Sequence, residues 1–234
     1  MASTPTKTVL ITGASRGIGL ALATQYQTAG WNVIGAVRNP AAADKLQALK
    51  PFKIVQLDTT DEASAQRAAK ELEGVAIDIL INNAGICVDE DFEAVTKESL
   101  LRQYEVNAVG PFLVTRALLS CLKSAVSATG SAKVVHITSS LGSITLYDGS
   151  IYYPGYRASK SGLNMLNAGI SYKLKDEKIT SVVLCPGYVA TDLNNYSGVL
   201  KPEESAAAVF KVIDSLTFED TGKYFNHEGA SVAW

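Results

Sequence analysis

The pair with the plainest chemical use is Tyr156 and Lys160, four residues apart in Tyr156-Arg157-Ala158-Ser159-Lys160. On a helix this spacing puts both side chains on one face, one turn apart. An ammonium beside a phenol lowers its pKa from about 10 toward working pH. Tyr156 then becomes an acid for a carbonyl oxygen or a base for an alcohol, and Lys160 could also hold the hydroxyls of a ribose. With ten tyrosines in the chain the pattern arises readily by chance, so its surroundings carry the weight. Upstream, Val134-Val135-His136-Ile137-Thr138-Ser139-Ser140-Leu141-Gly142 ends in two adjacent hydroxyls. A hydroxyl at a strand end can donate to a developing oxyanion, or it can merely cap a turn.

A second constellation lies near the start, in Thr12-Gly13-Ala14-Ser15-Arg16-Gly17-Ile18-Gly19. A glycine-rich turn between a strand and a helix aims backbone N–H groups at an anion, and the helix dipole adds to the attraction. The spacing is Gly-x-x-x-Gly-x-Gly rather than the usual Gly-x-Gly-x-x-Gly of dinucleotide sites, and a tight strand-helix turn is the bland alternative. In such sites an acid about 20 positions further on binds the ribose 2′-hydroxyl. Here the second strand ends in Val37-Arg38-Asn39 with no acid in place. A guanidinium can grip a 2′-phosphate in bidentate fashion, so Arg38, with Arg16 in the turn, selects NADP(H) over NAD. The same turn also reads Gly13-x-Ser15-x-Gly17, a hydrolase nucleophile elbow, with Asp192 and His227 downstream in triad order. That fold needs an earlier strand and loop for its oxyanion hole, and only 12 residues precede Gly13.

These residues need a rigid scaffold, and the patterning supplies one. Strand-like runs span 8–12, 32–37, 53–57, 77–82, 133–138 and 180–185, with a weaker one at 223–226. Between them lie amphipathic stretches at 17–29, 41–49, 62–72, 98–124, 156–174 and 202–215. This alternation predicts an α/β fold, a doubly wound parallel sheet of about seven strands with helices on both faces, in one domain. The irregular stretch Gly142 to Gly155 falls between a strand and a helix, where such sheets place binding sites.

Taken together the motifs resemble those of the short-chain dehydrogenases/reductases, over nearly the whole chain. Thr12 to Gly19 is similar to that family's cofactor turn. Asn82-Asn83-Ala84-Gly85 resembles its Asn-Asn-Ala-Gly strand end, and Asn107 its helix asparagine. Ser139, three residues before Gly142, stands where its serine does and is preferred here to Ser140. Tyr156 and Lys160 match the rest of its tetrad, and Pro186-Gly187-Tyr188-Val189-Ala190-Thr191-Asp192 its Pro-Gly segment. The resemblance implies roles for these residues. Tyr156 is the proton donor, Lys160 its pKa modifier and ribose anchor, and Ser139 the group that polarises the substrate oxygen. Asn107 holds a water that links Lys160 to solvent. Gly13, Ser15, Arg16, Gly17, Ile18, Gly19, Arg38, Asn83, Ala84, Gly85, Pro186, Gly187, Val189 and Thr191 contact the cofactor. Asp58 is the family's adenine contact, or else a helix cap near Thr59 to Asp61. The Leu-Gly-Ser-Ile after the serine and the ending in Trp234 resemble the carbonyl-reductase/C-factor-like branch. The stretch from Ser139 to Tyr156 is a few residues longer than in many members, which reshapes the substrate mouth. Loop position and apolar or aromatic character nominate Ile144, Tyr153, Tyr188, Leu193 and Tyr196, from loops 142–155 and 188–200, as pocket lining.

The expected activity is reduction of a ketone or aldehyde with NADPH. Oxidation of a secondary alcohol and a non-catalytic NADP(H) sensor are the alternatives. Composition excludes other classes. Apolar residues make up 47% and charged residues 19%, which rules out disorder. A net charge of −2 offers nucleic acid or an anionic membrane no electrostatic footing. Two histidines without ligand spacing argue against zinc. Three scattered cysteines, and a start at Met1 to Lys7 unlike a signal peptide, point to the cytoplasm. The resemblance leaves monomer, homodimer and homotetramer open, the latter two through the helices at 98–124 and 156–174.

Overall fold

The computed structural model describes residues 6–150 and 152–234. Met1 to Pro5, and Ile151 within the expected mouth loop, lie outside the described residues. The strands are β1 (Thr8–Thr12), β2 (Asn32–Val37), β3 (Lys53–Gln56), β4 (Ile79–Asn82), β5 (Ala132–Ile137), β6 (Ile179–Cys185) and β7 (Tyr224–Asn226). They form one sheet in the order β3-β2-β1-β4-β5-β6-β7, every pair parallel. The order reverses between β1 and β4, so a crevice opens at their carboxyl ends.

Both faces of the sheet are buried, as the near-continuous apolar runs require. Val9, Ile11, Ile81, Val135 and Leu184 pack under α1 (Gly17–Thr28) and α8 (Pro202–Ser215) through Leu22, Tyr26, Val209 and Ile213. Tyr26 meets Trp31 and Phe210 edge to face, at 5.2 and 4.8 Å. On the other face Leu10, Ile34, Leu80 and Val134 meet α3 (Glu62–Glu71) and the later helices through Leu72, Leu122 and Leu174. A short helix, α2 (Asp44–Ala48), sends Leu46 into the first layer.

The one helix expected over 98–124 is corrected to three. They are α4 (Lys97–Tyr104), α5 (Gly110–Ala117) and α6 (Leu119–Thr129), with a π turn at Glu105–Val109. Pro111 is the cause of the π turn. It has no N–H for the carbonyl of Asn107, four residues earlier, and its ring crowds that carbonyl. A second break at Leu118 turns α6 by 55°. No single helix among the described residues is long and apolar enough to cross a membrane. The last long helix, α7 (Pro154–Leu174), starts two residues earlier than expected, with Pro154 in its first turn.

His136 is fully buried on β5 and is a packed residue, as its alternation implies. Thr115 spends its hydroxyl hydrogen on the carbonyl of Pro111 (2.7 Å), so it accepts from Asn82 Nδ2 (3.0 Å). The same amide nitrogen lies 3.2 Å from His136 Nδ1, which therefore accepts and leaves the ring neutral. Burial, helped by the Lys160 cation, pulls the imidazole down to about 3. The unfolded chain, with an ordinary imidazole near 6.5, then binds more protons than the folded one between these values. Stability is whole above about pH 6.5 and is lost as pH falls. Denaturant unfolding at about pH 7.5 and about pH 5 should differ by about 2 kcal/mol from this residue. The difference should shrink by that amount in His136→Gln.

Candidate active site

The glycine turn closes the amino end of α1 against the end of β4. Thr12 Oγ1 accepts the N–H groups of Asn83 (3.0 Å) and Ala84 (3.1 Å), and Asn83 Nδ2 returns a bond to Thr12 O at 3.0 Å. Gly13 and Gly17 have φ of +67° and +53°, open to glycine at no steric cost. At Gly19 space decides: a Cβ would lie 2.3 Å from Gly13 O and 2.6 Å from Asn83 Nδ2. Arg16, at the N-cap, makes no capping bond, and the first turn carries no acid. The orphan N–H groups of α1 are therefore open to an anion with no side-chain cap or acid of the first turn in competition, which fits a pyrophosphate.

Around the ends of β4, β5 and β6 the structure brings Asn107, Ser139, Tyr156 and Lys160 together. Ser139 follows β5 and its Oγ accepts from Leu141 N (3.2 Å). Its hydroxyl lies near enough to the Tyr156 phenol to oppose the rise in the phenol's pKa. Lys160 is buried and donates to Ile137 O at 2.8 Å, with Nζ 5.7 Å from the Tyr156 ring centre. Gly85 leaves room for this: a Cβ there would come within 3.1 Å of Asn107 Oδ1 and 3.7 Å of Lys160 Nζ. The Asn107 side chain uses both amide hydrogens and one lone pair of its oxygen. It accepts from Ile86 N (2.8 Å) and donates to Ile86 O (2.8 Å) and Ser159 Oγ (2.9 Å). Its backbone carbonyl, denied an α-helical partner by Pro111, is open to a water as well.

One expectation is reversed. Burial raises Tyr156 well above an ordinary phenol, with the nearby Cys87 thiol adding and the Ser139 hydroxyl opposing. Burial also lowers Lys160, to about 8. Loss of water governs both groups, and at 5.7 Å the ammonium does not outweigh it.

The outer residues divide. Thr191 lies over the turn, 3.4 Å from where a Gly17 Cβ would stand. Gly187 has φ +88°, and a side chain there would strike Leu200 and His227. His227 is thus a neighbour of the Pro-Gly segment. Ser205 holds Pro186 O at 2.7 Å, and Val189 is buried. Arg38 is exposed beyond β2, close enough to Asp58 to lower its carboxyl. Asp58 is held foremost by Thr60, which donates from N (3.0 Å) and Oγ1 (2.8 Å). The α3 cap itself is Asp61. Arg16 Nε pairs with Asp192 Oδ2 at 3.1 Å, and Asp192 also accepts from Tyr196 OH at 2.5 Å. Tyr196 therefore stands at the phosphate end of the crevice. Tyr153 lies near enough to Asp89, Cys87 and Tyr188 for each to add to the rise that burial gives its phenol. Ile144 is 78% exposed and Leu193 41%.

Sequence reasoning missed Cys87, Cys185 and Tyr224. Cys87 follows the Asn-Asn-Ala-Gly motif by two residues, which was a usable signal. Its thiol is pushed up to about 11, mainly by burial. Cys185 Sγ accepts from Ser140 N (3.2 Å), and Tyr224 OH donates to Ser139 O (2.7 Å). Nothing in their spacing announces these contacts.

A sequence model of the short chain dehydrogenase family matches residues 7–199. The chain belongs to this family. It is 35% identical to the short chain dehydrogenase gsfK of Penicillium aethiopicum, over 97% of this chain and 99% of that one. With the C-signal of Myxococcus xanthus identity is 36%, over 68% of this chain and 93% of that protein. Among solved structures it resembles the NADPH-bound carbonyl reductase from chicken fatty liver (TM-score 0.91, 33% identity, 98% and 99% covered). It equally resembles the carbonyl reductase Sniffer of D. melanogaster (TM-score 0.92, 28%, 98% and 100%). The chain is thus an oxidoreductase with the carbonyl-reductase-like form of the fold.

Gly19→Ala tests the turn. Forcing a methyl against Gly13 O should cost about 1–3 kcal/mol of unfolding free energy. Gly169→Ala, in open space on α7, should instead gain up to about 1 kcal/mol. Urea titrations of the two proteins would show opposite shifts.

Proposed function

We propose that this chain is an NADPH-dependent carbonyl reductase that converts a ketone or aldehyde to an alcohol. The observation that carries the reading is the arrangement of half-buried Ser139 with buried Tyr156 and Lys160 beside the glycine turn. A nicotinamide, when bound, supplies the hydride. The chain's own residues do the rest. Ser139 donates a hydrogen bond to the carbonyl oxygen, and Tyr156 delivers its proton to that oxygen as negative charge develops there. A phenol raised by burial keeps its proton at neutral pH, which suits donation and therefore reduction. Lys160, fixed on Ile137 O, offers its remaining N–H groups to the ribose hydroxyls and steadies the phenolate left behind. The backbone of Asn107, at the π turn, holds the water that returns a proton.

Gly13, Ser15, Arg16, Gly17, Ile18 and Gly19 cradle the pyrophosphate. Asn83, Ala84 and Gly85 line the nicotinamide half, with Pro186, Gly187, Val189 and Thr191 above it. Asp58 borders the adenine. The missing acid after β2 and the exposed Arg38 support NADPH over NADH, as does the bound cofactor of the chicken enzyme. Tyr153 and Tyr188 favour a hydrophobic or aromatic carbonyl, with Ile144, Leu193 and Tyr196 further out. Exposed Leu101, Met165 and Tyr172 on α4 and α7 support a homodimer or homotetramer through those helices. Three free cysteines support a cytoplasmic setting.

Loss of NADPH absorbance against aliphatic, aromatic and quinone-like carbonyls tests the activity. Tyr156→Phe should lower turnover by about 10²–10⁴-fold and still quench or shift NADPH fluorescence. Below about pH 8 Lys160 keeps its proton and above it becomes neutral, so kcat/KM for reduction should be level near neutrality and fall as pH rises through that value. Turnover retained by Tyr156→Phe would overturn the assignment.

Arg38→Ala should weaken NADPH about tenfold, near the loss of one charge-assisted contact, and leave NADH untouched. Asp192→Asn frees Arg16 from its exposed ion pair, so NADPH should bind roughly two- to fivefold more tightly. Equilibrium titration of cofactor fluorescence reads both.

A further inference from the structure

The grip on the catalytic serine comes from the far edge of the sheet. β5 makes its last sheet bond at Thr138 N to Leu184 O, 2.9 Å. The chain then leaves the sheet, with Ser139 extended (φ −152°, ψ 146°) and a single turn over Ser140–Gly142. The peptide joining Ser139 to Ser140 is held at both polar atoms. Its carbonyl accepts from Tyr224 OH (2.7 Å) and Gly142 N (2.8 Å), and its N–H donates to Cys185 Sγ (3.2 Å). The Tyr224 ring is only 2% exposed and packs on Trp234 with centres 5.4 Å apart. The same segment holds the chain as it leaves the serine: Ser143 Oγ donates to Ala233 O (2.6 Å) and Thr145 N to Trp234 O (2.9 Å).

A strand end outside the sheet has a free peptide plane unless something fixes it. Rotation of that plane would carry Leu141 N away from Ser139 Oγ and re-aim the hydroxyl. We infer that Tyr224 is a positioning residue, whose hydroxyl fixes the Ser139–Ser140 peptide and so aims the Ser139 hydroxyl at Tyr156 and the carbonyl oxygen. The inference rests on the reductase reading. It adds a residue that touches neither substrate nor cofactor.

Tyr224→Phe removes one hydroxyl and keeps the packed ring. Its kcat should fall about tenfold, the loss expected of one buried hydrogen bond acting at the transition state, with NADPH affinity by fluorescence unchanged. A merely structural loss would add to any other lesion. Action through the serine would not, so in a Ser139→Ala background, followed by single-turnover NADPH oxidation, Tyr224→Phe should change the rate less than about twofold. Cys185→Ala, which loosens the same peptide from its other side, should behave alike and gives an independent reading if the Phe variant folds poorly. An unchanged kcat in Tyr224→Phe, or a full tenfold loss persisting beside Ser139→Ala, would overturn the proposal. Full activity of Ser139→Ala would instead overturn the role of the serine from which it starts.

Discussion

A buried ammonium sets the terms for this molecule. Lys160 has lost nearly all its water, and an unpartnered cation there would cost several kcal/mol. The carbonyl of Ile137, at the last residue of β5, answers one of its N–H groups. That bond fixes the phase of α7 over the strand ends. Ser159, one position earlier, then meets Asn107, and Tyr156, one turn earlier, meets Ser139. Gly85 is small because two polar atoms of this cluster crowd the space above it. The π turn brings Asn107 to Ile86 and Ser159 at once, a reach tied to the proline that interrupts the helix.

Much of this was written in local pattern. β1, β2 and α8 begin and end where their hydrophobic runs do, because each is a regular element between strong turn residues. The glycine turn and the Tyr156–Lys160 spacing are visible in the sequence because each lies within a few neighbouring residues. What escaped depends on distance through space. The sign of the Tyr156 shift follows from how much water is excluded, and only the assembled layers decide that. Tyr224 reaches Ser139 across 85 positions of sequence, since β7 lies beside β6. Asp192 reaches Arg16 because its loop folds down over the turn. Pro111 is visible in the sequence, but the amphipathic spacing runs through it unbroken, so only the backbone shows where the helix is interrupted.

The polar layer under α5 and α7 complements the reactive end of the sheet. Asn82, Thr115 and His136 sit at the level where an all-apolar core would serve stability as well, and their bonds leave little freedom of placement. Kept neutral by burial, His136 adds no charge beside Lys160. A cationic imidazole at that depth would push the lysine toward its neutral form, so a neutral His136 is what lets the ammonium stay charged there.

The segment beyond β7 has another consequence. β7 has only three residues and pairs with β6 on one side. On its other side the chain folds back, with Val232 N on Tyr224 O at 2.8 Å, Asn226 N on Ala230 O at 2.9 Å and an antiparallel bridge between Phe225 and Ser231. An open edge of unpaired peptide groups invites other strands to add on. Here that edge is covered by residues 230–232, and the two residues that follow them hold the loop after Ser139. Edge protection and the hold on the Ser139 loop thus share one short stretch of backbone.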